Sequence, residues 1–176
     1  MSATGLPVAI EPSRSLLRLA RADYELIVEH CLRAYPEEGC GLLVGELDTG
    51  RVTLCAPARN AAASARLYEI DGRDLLRIDR EAEAAGAAII GVFHSHTHTD
   101  AYPSPTDVAQ AADPGWHYVL VSLRDTHPVV RSYAIVDGEI TEEPVDVPGL
   151  DVPGLDRGPD HDHDHDHDHD HDQESD

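Results

Sequence analysis

Gly91-Val92-Phe93-His94-Ser95-His96-Thr97-His98-Thr99-Asp100-Ala101-Tyr102-Pro103-Ser104-Pro105-Thr106-Asp107 is the stretch whose reading decides the fold. An apolar run from Ala87 to Phe93 feeds two histidines at i and i+2, and on a strand side chains at that spacing leave by the same face. Both imidazoles can therefore reach one ion. A catalytic zinc takes three protein ligands from imidazole nitrogen and carboxylate oxygen and keeps a fourth position for water; His94, His96 and Asp107 form such a set. His98 continues the alternation but is a poor ligand. On an extended strand it lies about 13 Å from His94, at about 3.3 Å per residue, and one ion cannot hold both.

The same residues have a plainer reading. Ser104-Pro105-Thr106-Asp107 starts a helix by itself, with Ser as N-cap, Pro at the first helical position and an acid facing the positive end of the dipole. A His-x-His pair alone also occurs as a polar strand end. The combination points further, because a buried strand ends in two histidines and a short loop returns a capped carboxylate towards them. The two readings are compatible, since the cap fixes where Asp107 points.

The order His94-Ser95-His96, seven residues, Ser104, two residues, Asp107 resembles the signature of the JAMM (MPN+) metalloproteases. That family's motif also needs an upstream glutamate beside a Cys-Gly and an apolar strand, and Glu38-Gly39-Cys40-Gly41-Leu42-Leu43-Val44-Gly45 matches it. The resemblance implies an α/β protein with the cytidine-deaminase-like JAMM/MPN fold, a mixed central β-sheet flanked by helices. It also implies one catalytic Zn2+ on His94, His96 and Asp107, with Glu38 as general base and acid and Ser104 as the donor to the oxyanion. Such an ion lowers the pKa of its water to about 7, and a carboxylate outside the ligand set must then carry the proton to the departing amine. Glu37 and Glu46 are local rivals that read equally as solvated charges, and the motif match favours Glu38. One hydroxyl can accept from a helix N–H while donating its proton, so capping and oxyanion stabilisation by Ser104 do not conflict. Ser95 alternates with the histidines and faces away.

Many JAMM proteins have Pro after the second histidine, where this chain has Thr97. His94-Ser95-His96-Thr97 followed by Ala101-Tyr102-Pro103-Ser104, with Tyr118-Val119-Leu120-Val121-Ser122 downstream, is most similar to the bacterial Mec-type peptidases. Those remove cysteine from the C-terminus of the ubiquitin-like sulfur carrier CysO, which implies a ubiquitin-like sulfur-carrier protein as substrate and a place in cysteine biosynthesis. The loop from Thr97 to Tyr102 would rim the substrate groove. Connections between elements are short, so a flexible Gly-Gly-type tail added along a sheet edge suits the chain better than polyubiquitin. Two other readings stand beside this one: a non-catalytic MPN scaffold, which would lack parts of the metal set, and a metal-buffering protein acting through its tail.

With 176 residues, 41% of them apolar, one domain with a sizeable core is expected. No stretch is apolar enough to span a bilayer and the N-terminus lacks a basic-then-apolar leader, so a cytoplasmic location is the default. Cys31, Cys40 and Cys55 cannot all pair with one another and show no Cys-x-x-Cys spacing, which fits reduced thiols. Cys40 lines the pocket if it shares a strand face with Glu38, and otherwise is a small buried apolar residue. The net charge of −21 argues against nucleic-acid and anionic-membrane partners. Part of that charge is local, since residues 160–176 carry nine acids and no Lys or Arg. A homo-oligomer is compatible with the sequence, which fixes no oligomeric state.

Along the chain, residues 1–14 read as a loose arm, 15–147 as the JAMM/MPN+ domain and 148–176 as a disordered acidic tail. The six tail histidines could loosely hold further divalent metal. Within the domain, Leu16 to Leu19 is expected as a strand, Ala22 to Tyr35 as a helix ended by Pro36, and Cys40–Leu47 and Val52–Ala58 as a hairpin. Arg66 to Ile70 reads as an edge or transition segment, Asp71 to Ala85 as a helix stopped by Gly86, and Pro105 to Ala112 as a short helix. Trp116–Leu123, Val129–Val136 and Glu139–Val145 complete the strands. Trp116 is assigned to the core and His117 is given no role.

Overall fold

The computed structural model describes residues 16–150, so the N-terminal arm and nearly all of the His-Asp tail lie outside the described residues. In chain order the elements are β1 (Leu17–Arg18), α1 (Arg21–Ala34), β2 (Cys40–Glu46), β3 (Arg51–Ala58), α2 (Gly72–Ala84), β4 (Ala88–His96), α3 (Pro105–Gln110), β5 (His117–Ser122), β6 (Val129–Val136), β7 (Glu139–Glu143) and β8 (Val145–Asp146). The strands form one mixed sheet in the order β7-β6-β5-β4-β2-β3-β1-β8.

The expected last strand, Glu139 to Val145, is interrupted. Pro144 has no N–H for a ladder, and the chain there passes from β7 at one edge of the sheet to β8 at the other. Two edges separated by a single residue can only belong to a sheet curled back on itself. Leu17 N–H donates to the Pro144 carbonyl at 3.1 Å and Leu19 N–H to that of Asp146 at 3.0 Å, which fastens the seam.

Side-chain alternation then sorts the core. On the inner face of the curl, Ile27 and Cys31 of α1 pack with Leu43, Cys55, Phe93, Val119 and Val145. On the outer face, Ile78 and Ala82 of α2 pack with Cys40, Leu42, Val92, Tyr118 and Leu120. Both helices contribute an apolar stripe and leave the rest of their surface to solvent. Gly41 is required in β2, because a Cβ there would lie 2.4 Å from the Phe93 ring and 2.6 Å from the Ala56 carbonyl oxygen.

One irregularity in β4 aims the metal motif. Leu43 pairs with Gly91 and Val44 with Ile89, leaving Ile90 as an extra residue in the strand. Such a bulge reverses the alternation beyond it. Ile90 and Phe93 consequently share the inner face, and Val92 joins the outer cluster. His94 and His96 follow Val92 outwards, while Ser95 follows Phe93 inwards. β4 runs parallel to β5, and parallel neighbours need a crossover connection. Here the crossover carries α3 and brings Asp107 back to the C-terminal end of β4.

His117, Ser132 and Glu143 are all buried on strands β5, β6 and β7. His117 Nδ1 lies 2.8 Å from Glu143 Oε2 and the Ser132 hydroxyl donates to the same oxygen at 3.0 Å. His117 thus takes part in a buried polar cluster next to the seam. Trp116 is half-buried against the outer core cluster, as its place at the strand start led us to expect.

Candidate metal centre

His94 and His96 end β4, and Asp107 is in the first turn of α3. All three are buried. His94 Nε2 and His96 Nε2 lie 3.2 Å apart, His94 Nε2 is 3.3 Å from Asp107 Oδ1, and His96 Nε2 is 3.3 Å from Asp107 Oδ2. A tetrahedral ion with ligand bonds of about 2.0–2.1 Å has ligand-to-ligand edges of about 3.3–3.4 Å. The donor spacing therefore fits one small divalent ion without rearrangement. No other group of three or more such ligands occurs among the described residues, and His98 is not part of this one.

Supporting contacts set each donor. His96 Nδ1 lies 2.9 Å from the Asp100 carbonyl, which can only accept, so the proton sits on Nδ1 and the Nε2 lone pair faces the cluster. His94 Nδ1 is buried with no hydrogen-bond partner among the described residues, and its ring is instead held by stacking on Tyr68, centroids 4.1 Å apart and planes 19° apart. Asp107 is fixed by the capping box that the sequence suggested: Ser104 N–H donates to Oδ2 at 2.6 Å, and Asp107 N–H donates to the Ser104 hydroxyl at 3.2 Å. That hydroxyl is thus an acceptor towards the helix and keeps its own proton.

Electrostatics follow the burial. Desolvation pushes the His94 imidazole below its usual value, against the pull of the Asp107 carboxylate. Burial alone would raise the Asp107 carboxyl, but the two imidazoles and Ser104 hold it well below the usual carboxylate range. Burial moves Glu38 up to about 7, with the Asp107 charge adding and His96 opposing.

Glu38 precedes β2 in the turn after α1 and lines the same cleft as His96 and Ser104, a cavity of about 510 Å³. Its position is held from both sides. Glu38 N–H donates to the Ser64 carbonyl at 2.8 Å, and the Glu38 carbonyl accepts from Asn60 Nδ2 at 3.0 Å. The next residue, Gly39, exchanges two bonds with Ser95: its N–H donates to the Ser95 hydroxyl and its carbonyl accepts from Ser95 N–H, each at 2.9 Å. Ser95 therefore faces away from the cluster as expected, and ties the Glu38 turn to the histidine strand. Gly39 itself is needed for close approach, since a Cβ would meet the Cys31 backbone at 2.9 Å.

Cys40 does not line the cleft. Glu38 lies outside the strand, the premise of a shared face fails, and Cys40 is wholly buried in the outer core. Glu37 and Glu46 are also absent from the cleft wall.

The loop between β3 and α2 contains the segment read as an edge or transition, Arg66 to Ile70, and is joined by an isolated bridge between Asn60 and Ile70. It supplies three contacts with no local signature. Asn60 uses its whole amide, donating to the Glu38 and Leu67 carbonyls and accepting from Ala62 and Glu69 N–H, all at 3.0 Å. Tyr68 covers His94. Thr97 donates to the Ala65 carbonyl at 3.1 Å.

Residues 20–136 match the family model described as prokaryotic homologs of the JAB domain. The CysO-cysteine peptidase of Mycobacterium tuberculosis is 46% identical over 129 residues, covering 72% of this chain and 88% of that one. A desampylase of Haloferax volcanii is 35% identical over 123 residues, covering 69% and 84%. The JAB1/MPN domain protein AF2198 from Archaeoglobus fulgidus shares the fold, with a TM-score of 0.50 at 20% identity over 75% of this chain and 99% of that one. The chain belongs to the JAB/MPN family and is a hydrolase of its JAMM type.

Proposed function

We propose that this protein hydrolyses the peptide bond following the Gly-Gly-type C-terminal tail of a ubiquitin-like sulfur-carrier protein, releasing a terminal cysteine in cysteine biosynthesis. The observation that carries this reading is the meeting, at one cleft, of a buried two-imidazole, one-carboxylate cluster with a carboxylate and a hydroxyl outside it. The named activities of the relatives support the substrate class. Three buried, unpaired cysteines support a reducing, cytoplasmic setting.

His94, His96 and Asp107 would hold the ion, which we take to be Zn2+ from the donor types. When bound, it polarises the scissile carbonyl and makes water acidic enough to attack near neutral pH. Glu38 takes the proton of the attacking water and passes it to the departing amide nitrogen. A base whose pKa lies near the working pH does this best, and burial brings Glu38 there. Ser104, already an acceptor towards Asp107 N–H, turns its proton to the carbonyl oxygen as negative charge develops. Of the loop from Thr97 to Tyr102, Thr97, His98 and Thr99 border this cleft, where the tail would lie, and Asp100, Ala101 and Tyr102 line a separate cavity.

The test is intact-mass analysis of a sulfur carrier ending in Gly-Gly-Cys after incubation with the zinc-loaded protein. The expected product is lighter by one cysteine residue. Glu38→Gln should retain one equivalent of metal and lose turnover by at least about a hundredfold. An unchanged carrier in the presence of zinc would refute the assignment.

A further inference from the structure

This strongly acidic protein has no lysine, so its permanently charged basic side chains are all arginines, and most of those described are engaged. Arg21, Arg33, Arg59, Arg77, Arg124 and Arg131 each pair with a carboxylate. Arg66 makes no ion pair among the described residues. It is exposed, and it is the one arginine on the wall of the cleft that also presents Glu38, His96 and Ser104.

Its backbone is registered to the metal cluster on both flanks. The Ala65 carbonyl accepts from the hydroxyl of Thr97, the residue after His96, and two residues on Tyr68 stacks on His94. Arg66 N–H also donates to the Ser64 hydroxyl at 3.2 Å. A guanidinium is thus held on a fixed base beside the reacting centre, with its fork of donors unclaimed by any described residue. In surroundings this acidic, an unpaired cation facing the cleft is suited to an anion that arrives with the substrate.

A residue leaving from the extreme C-terminus carries such an anion, its α-carboxylate, immediately beyond the scissile bond. A lysine joined by an isopeptide bond within a protein carries none there. Arginine binds carboxylate through two parallel N–H donors, which fixes orientation as well as charge. A cleft of about 510 Å³ also has the size of a small-ligand pocket, enough for a short stretch of tail and one terminal residue.

We propose that Arg66 receives the terminal α-carboxylate of a single-residue leaving group and so determines specificity for release of one C-terminal amino acid over isopeptide or internal cleavage. This rests on the hydrolysis proposed above. In that reaction water oxygen bonds to the carbonyl carbon, the C–N bond breaks, and the amine leaves with the proton carried by Glu38. The α-carboxylate is unchanged throughout and serves only as a handle.

The experiment uses the zinc-loaded full chain and two carriers, one ending in Gly-Gly-Cys as the free acid and one ending in the same residues as the C-terminal amide. The wild type should prefer the acid in kcat/KM by about tenfold to a hundredfold, the range for a hydrogen-bonded charged contact. Arg66→Gln should lose that preference, falling on the acid and holding its rate on the amide, and Arg66→Lys should restore part of it. Equal cleavage of acid and amide by the wild type, or an equal loss on both in Arg66→Gln, would overturn the role of Arg66 and leave the hydrolysis standing. Cleavage of neither carrier by the wild type would instead strike the hydrolysis and the anchor together.

Discussion

Glu38 is a buried carboxylate with no ion pair among the described residues, and this makes its charge visible in the stability of the metal-free protein. The folded chain holds the Glu38 proton up to about pH 7, whereas its ordinary pKa is 4.5. Between those values the folded state binds more protons than the unfolded one, so this residue's contribution to stability falls as pH rises through the window. Metal-free Glu38→Gln is expected to melt above metal-free wild type at pH 8, with the gap closing near pH 5, as thermal scans at both pH values would reveal. Asp107 presents the opposite case, its charge held by two imidazoles and a helix cap. At a zinc concentration one hundred times Kd the wild type should gain about 2.7 kcal/mol of stability. Asp107→Asn should lose most of that gain, read as the zinc-induced shift in Tm.

At the scale of elements, the loop between β3 and α2 does more than connect. One side chain, Asn60, organises it through four hydrogen bonds, one of them to the carbonyl of Glu38. Asn60→Ala leaves two N–H donors and two carbonyls in search of partners, several of them near solvent. A loss of about 1–3 kcal/mol is expected. Turnover should fall by more than the stability loss explains at a temperature where the variant is still fully folded, because the base has lost its anchor. Comparing denaturant midpoints with kcat separates the two effects. α3 illustrates the same economy, since its capping box starts the helix, orients Asp107 and leaves the Ser104 proton available.

The whole molecule depends on the seam. A curled sheet whose edges meet at Pro144 places Glu143 in the interior, and His117 and Ser132 satisfy it there. Removing one partner of a buried, hydrogen-bonded charge leaves the other uncompensated. His117→Ala should therefore cost about 3 kcal/mol in urea unfolding. Metal affinity measured on the folded fraction should be little changed, because the cluster on the outer face of β4 does not include His117.

The candidate centre was legible in the sequence because its signals are local. Strand alternation puts His94 and His96 on one face and a capping box fixes Asp107, each a rule about residues within a few positions of one another, whereas Glu38 stood out from Glu37 and Glu46 only through the resemblance to the family motif. The order of helices and strands followed from the same short periods. The rest needed the folded chain. The bulge at Ile90 decides which face the histidines take, yet one extra residue in an apolar run leaves no mark on composition. Asn60 reaches the Glu38 carbonyl and Tyr68 reaches His94 across long stretches of chain, Arg66 shares a cleft with His96 and Ser104, and Pro144 joins opposite edges of a sheet whose closure no local pattern announces. Sequence by itself determined which groups could hold an ion and move a proton; tertiary structure alone decided which face they share, what holds them there and what stands across the cleft, because those depend on contacts between residues far apart in the chain.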